Sequence, residues 1–145
     1  MRGNMNDYVP AIKAPLIGLV AAGLNLLGGW DVPLQTLAIL NVADVISGVA
    51  KSILMGTIQS DLCARGILKK IVMWLFVVVA VALDALVTNY LGQDSHLRSV
   101  VVVGWCITET ISVMENGRAM GLDVPPVITD ALERLRKAAG LNRET

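Results

Sequence analysis

The run Ile71-Val-Met-Trp-Leu-Phe-Val-Val-Val-Ala-Val-Ala-Leu83 carries no charge, and this limits what the chain can become more than any other feature. Lys69 and Lys70 precede it and Asn89-Tyr90 follow it. A basic anchor and an aromatic anchor around an apolar run describe a membrane helix over Ile71–Leu91. The apolar stretches Ala14–Leu27, Val32–Ala50 and Arg98–Met114 also approach the roughly 20 residues needed to cross a hydrocarbon core about 30 Å thick. A chain that is 54% hydrophobic and 17% charged is too apolar for an ordinary soluble domain of 145 residues. The expectation is an all-α integral membrane protein with four transmembrane helices.

The first stretch has features of a secretory signal peptide, being apolar and preceded by Arg2 and Lys13. An uncleaved helix accounts for it better. No small-x-small cleavage site precedes a soluble domain, and a second apolar stretch follows directly after Gly28-Gly29-Trp30-Asp31-Val32-Pro33. That string reads as a tight turn, with Gly ending one helix and Pro33 suited to the first turn of the next.

Basic residues set the orientation. Arg2 and Lys13 precede the first helix, and Lys51, Arg65, Lys69 and Lys70 lie between the second and third. Arg118, Arg134, Arg136, Lys137 and Arg143 follow the fourth, while the alternate side has Arg98 alone. The positive-inside rule then makes both termini and the middle loop cytoplasmic. Beyond Gly117, Gly121 and Pro125-Pro126, helical period resumes with Ile128, Ala131, Leu132, Leu135 and Ala138 on one face. Asp130 with Arg134 and Glu133 with Lys137 stand at i, i+4 spacing on the other side. The division expected is a four-helix membrane domain over 1–121 and a cytoplasmic amphipathic helix and tail over 122–145.

Several function classes drop out. Twelve basic residues balance twelve acidic ones, which argues against nucleic acid as a partner. His96 is the single histidine, so neither a His-based metal site nor a His-dependent triad can be assembled. Cys63 and Cys106 lack metal-ligand spacing and read as free thiols, in a cytoplasmic loop and a membrane helix respectively. No cofactor or catalytic residue is expected.

Ionisable groups inside a membrane cost roughly 2.5 to 3.5 kcal/mol at the helix centre, so Asp44, Asp84 and Glu109 must face protein or water. Asn41, Asp44, Gly48 and Lys51 form one stripe at helical spacing; Thr108, Glu109, Ser112, Glu115 and Asn116 form another. Asp44 lies seven residues from Lys51, and Glu109 nine from Arg118. Both are thus on the order of 10 to 14 Å from the same helix ends. They are expected to meet, with one of the two protonated because neighbouring carboxylates in a low dielectric cannot both ionise cheaply. Asp84 lies nearer the outer side and belongs to a different contact. Two readings stand open: acids hydrogen-bonded between helices, or acids lining a water-filled passage. A carboxylate-pair hydrolase is disfavoured because no nucleophile or metal cluster accompanies them. Ala14, Gly18 and Ala22 form a small-xxx-small ladder suited to close helix packing, and Trp30 and Tyr90 fit interface anchors.

The pattern resembles the toxin-secretion and phage-lysis holin family. The matching residues are Asp44-Val-Ile-Ser-Gly48-Val-Ala-Lys51, Ser60, Gly66 and Lys69-Lys70, Asp84, and Glu109-Thr-Ile-Ser112-Val-Met-Glu115-Asn116 running on to Gly121 and Pro125. They extend from the second helix to the amphipathic tail; the N-terminal segment has no diagnostic match. The resemblance implies a small phage protein that homo-oligomerises in the host cytoplasmic membrane and permeabilises it. A peptidoglycan hydrolase then reaches the cell wall, or a large toxin leaves the cell. Asn41, Asp44, Gly48, Lys51, Asp84, Glu109, Ser112, Glu115 and Asn116 become candidates for the oligomer or pore surface. A small oligomeric ion or proton channel using Asp44 and Glu109 as a relay is the alternative, and a regulatory membrane scaffold recruiting a partner through its tail is a third.

Overall fold

The computed structural model describes residues 5–57 and 60–139. Among them are five helices: α1 (Met5–Leu26), α2 (Val32–Leu54), α3 (Ser60–Leu91), α4 (Leu97–Ala119) and α5 (Pro126–Ala138). The chain packs as two compact units, Met1–Trp30 and Asp31–Thr145.

The first unit contains α1. Its C-terminus closes as a Schellman turn: the Gly29 amide donates to the Leu24 carbonyl (2.9 Å) and the Gly28 amide to that of Asn25 (3.0 Å). Gly28 sits at φ +77°, a conformation that a side chain would strain, so the glycine placed here by the sequence reading does end the helix. A Cβ on Gly18 would meet no atom within 4 Å, and Ala14 and Ala22 are exposed, so the small-residue ladder is open.

In the second unit α4 packs against α2, α3 and α5. Asp31 meets Arg98 and Asp44 meets Asn116, so α2 and α4 run parallel. Asp84 meets the start of α4 while Lys70 meets Glu109, so α3 runs antiparallel to them. The seam is filled by Leu34 and Leu37 from α2, Met73, Val77 and Ala80 from α3, and Val102 and Ile107 from α4. Outside it the apolar side chains face outward, among them Ile39, Ile46, Leu75, Phe76, Val79 and Leu86. A water-soluble monomer rarely presents so much contiguous apolar surface; a helix bundle in lipid does.

Among the described residues three helices are long and apolar enough to cross a membrane: Val32–Leu54, Ala64–Leu91 within α3, and Leu97–Ala119. Lys13–Leu26 of α1 is a shorter apolar segment. The boundaries correct the sequence reading at the middle loop. Helix α3 begins at Ser60, so Cys63, Arg65, Gly66, Lys69 and Lys70 belong to it rather than to a long basic loop. With 32 residues it spans about 48 Å. Gly117 likewise lies inside α4, and the turn after it forms at Gly121, where φ is +85°.

The end of the seam where α2 and α4 begin is fastened by polar contacts. Asp31 caps α2 by accepting from the Leu34 amide (3.2 Å), and its two oxygens take the Arg98 guanidinium at 2.7 and 3.1 Å. That hydrogen-bonded guanidinium holds the Asp31 carboxyl below its ordinary value of 3.8. A depressed folded-state pKa means stabilisation fully present above 3.8 and lost as pH falls through the lower folded value. Asp31→Asn should keep the cap yet lose this acid-dependent step, whereas Asp31→Ala should also lose about 0.5 to 2 kcal/mol of capping at pH 7. Thermal unfolding in detergent at pH 7 and pH 3 checks both; an unchanged acid step in Asp31→Asn would assign it to other carboxylates.

Candidate functional site: an ion cluster between the helices

Three helices each send charge to one point. On α2, Asp44, Gly48 and Lys51 follow the i, i+4, i+7 spacing of one face, below the buried Leu34, Leu37 and Asn41. On α4, Glu109 and Asn116 stand two turns apart and are both buried. On α3, Lys70 shares a face with the buried Met73, Val77 and Ala80.

Lys70 is the centre. Its Nζ lies 3.0 Å from Asp44 Oδ2 and donates also to Glu109 Oε2. One ammonium thus joins carboxylates from α2 and α4, and the three side chains are 18%, 18% and 11% exposed. Asn116 extends the cluster: its Nδ2 donates to Asp44 Oδ1 (3.3 Å) and Ser47 Oγ (3.1 Å), and its Oδ1 accepts from Lys51 Nζ (2.6 Å). Gly48 packs beside it: a Cβ there would stand in ordinary van der Waals contact with Asn116 Nδ2, at 3.6 Å. Two ammonium groups and two carboxylates balance, so the network presents little net charge to the surrounding hydrocarbon.

Asp44 and Glu109 therefore come together as the sequence reading expects, but a lysine stands between them. The sequence reading makes Lys70 a surface anchor and leaves the two carboxylates facing each other; in the structure the ammonium lies between them instead. Lys69, its neighbour, is exposed.

Asp84 lies apart from the cluster. It accepts from Ser95 Oγ (2.5 Å) and from the amides of Leu97 (2.9 Å) and Arg98 (2.9 Å). His96, the residue before α4, makes no side-chain cap bond, so Asp84 supplies the acceptor that the first turn of α4 lacks. Of the other candidates, Thr108 is exposed and bonds back to the Gly104 carbonyl (3.0 Å), Glu115 is exposed, and Ser112 is half-buried. Asn41 donates to the Leu37 carbonyl (2.9 Å), while its buried Oδ1 has no partner among the described residues. Cys106 is a free, half-buried thiol; the Cys63 side chain lies outside the described residues. Among the described residues no group of three or more His, Cys, Asp or Glu is arranged to hold a metal. The cluster is chemically suited to holding helices together.

The model of the bacteriophage holin family matches residues 21–137. The chain is 30% identical to an uncharacterised 14.9 kDa protein in the nagH 3′ region of Clostridium perfringens, over 90% of this chain and 97% of that protein. It is 31% identical to an uncharacterised protein of Listeria innocua, over 83% of this chain and 84% of that protein. A probable holin of Bacillus phage phi105 is 30% identical over 68% of this chain and 70% of its own length. No solved structure matches.

Proposed function

The chain belongs to the bacteriophage holin family, a non-enzymatic class of multi-pass membrane proteins, and we propose that it acts as a holin. It accumulates in the host cytoplasmic membrane, homo-oligomerises, and opens a lesion through which a peptidoglycan hydrolase or a toxin passes. The observation that carries this reading is the family match over most of the chain, together with the phage relative.

The architecture supports it. Asp44, Lys70 and Glu109, the charges facing the seam of α2, α3 and α4, are closed on one another within one chain, and much of the outward surface of these helices is apolar. Such a protomer is at home in lipid and has no aqueous path of its own; a lesion is then a property of many copies. The occupied carboxylates also weigh against a relay in which Asp44 and Glu109 exchange protons freely.

The topology that fits has four crossings, with both termini and α5 cytoplasmic. Helix α1 crosses through its apolar part, Lys13–Leu26, about 21 Å of helix that a locally thinned bilayer accommodates with Lys13 at its cytoplasmic end. Lys13, Lys51, Arg65, Lys69 and Arg118 then gather on one side, while Arg98 on the other is paired with Asp31.

Expression in a bacterial host should halt growth abruptly and collapse the membrane potential, and a co-expressed hydrolase lacking a leader should then lyse the cells. Before lysis, Asp94→Cys should react with an impermeant thiol reagent and Asp130→Cys should not. Normal growth at high membrane levels of the protein would count decisively against the holin reading; labelling of Asp130→Cys would overturn the topology.

A further inference from the structure

Helix α5 has the strongest division into apolar and polar faces of the five, and most of its apolar face is not used inside the protein. Leu132 is buried where α5 packs on α4, but Val127 is 71%, Leu135 49% and Ile128 39% exposed. With Ala131 and Ala138 these residues form one continuous face at helical spacing. Leu122, just before the helix, is 62% exposed.

The position of α5 says what covers this face. Helix α4 ends at Ala119 and α5 begins at Pro126. A turn at Gly121, fixed by the Leu122 amide donating to the Gly117 carbonyl (3.0 Å), and the rigid Pro125-Pro126 pair keep α5 next to the helix end. A span that ends there leaves α5 at the headgroup level. Its charges fit that level too. Arg134 lies two turns from Val127, at the border of the apolar face, and Asp130, Lys137 and Glu133 follow it in that order around the polar side. The expected pairs Asp130–Arg134 and Glu133–Lys137 do not close into ion pairs among the described residues, so both cations are available to an outside anion.

We infer that α5 is an interfacial helix lying on the phospholipid surface, with Val127, Ala131 and Leu135 turned into the acyl boundary and Arg134 toward lipid phosphates. The inference rests on the proposed crossing by α4. It gives the lesion-forming protomer a wedge in one leaflet and fixes the depth of α4, whose Glu109 and Asn116 hold the cluster.

The test uses the full chain with Cys63→Ser and Cys106→Ser, carrying one bimane-labelled cysteine. It is reconstituted sparsely in phosphatidylethanolamine–phosphatidylglycerol vesicles whose acyl chains are brominated. Label at Leu135→Cys should be quenched several-fold more by lipid bromine than label at Glu133→Cys, which should respond to aqueous iodide instead. Label at Val79→Cys, on the exposed apolar side of α3, reports the membrane reading itself. If Val79→Cys escapes bromine, the crossing fails. If Val79→Cys is quenched while Leu135→Cys remains open to iodide, α5 is not on lipid and the inference is overturned. Protection of Leu135→Cys from both quenchers, rising with protein density, would assign the face to a second copy and overturn it equally.

Discussion

Lys70→Met should lose the folded bundle. The substitution keeps the length and apolar stem of the side chain but leaves Asp44 and Glu109 facing each other without the ammonium that now lies 3.0 Å from Asp44 Oδ2. Removing one partner of a buried ion pair costs roughly 3 to 5 kcal/mol, because the remaining charge is left uncompensated in a low dielectric. Here two are left. Purified protein should lose its cooperative thermal transition in mild detergent, and cells should lose both accumulation and killing. The restoring variant makes the test specific: Lys70→Met with Asp44→Asn and Glu109→Gln is neutral throughout and can hydrogen-bond across the same gap. It should recover most of the stability, a strong coupling between positions that packing alone would not produce. The double amide with Lys70 retained should be among the worst, since it strands an ammonium. Two carboxylates sharing a proton, without the lysine, would tolerate the amides, so the ordering separates the two arrangements. Equal stability of Lys70→Met and the parent chain would show that the cluster does not hold the helices.

The contrast shows which features a single sequence can carry. The apolar runs, the Gly28 turn, Pro33 in the first turn of α2 and the amphipathic α5 are local, each written in consecutive residues, and they match the structure. The proximity of Asp44 and Glu109 was also legible, because both lie at comparable distances from their helix ends and the rise per residue is constant. The partner was not. Lys69-Lys70 looks like an interfacial anchor because charged residues flanking an apolar run usually lie at the surface. The missed signal was periodic: Lys70, Met73, Val77, Ala80 and Asp84 follow one helical face, and the structure buries the middle three. Following that face back one turn from the apolar run turns Lys70 inward. Asp84 capping α4 and Asp31 binding Arg98 were out of reach for another reason. Both join separate elements at the end of the seam where α2 and α4 begin, and that register is set by how whole helices align.

The cluster also bears on what many copies do together. On the proposed holin reading, exchanging Lys70 between neighbouring chains, or releasing it into a wetted interface, would free the polar faces of α2 and α4 to meet water or another protomer. A lesion built this way needs numbers, whereas a channel of fixed stoichiometry conducts at any density. Purified chain should be reconstituted at increasing protein-to-lipid ratio into vesicles holding both a small anionic dye and a folded peptidoglycan hydrolase. The account predicts that sparse vesicles retain both contents. Above a threshold density the dye and the hydrolase should escape together, with a dependence on protein far steeper than first order. Dye release that grows linearly from the lowest density while the hydrolase stays inside at every density would contradict it and establish an ion-sized channel instead.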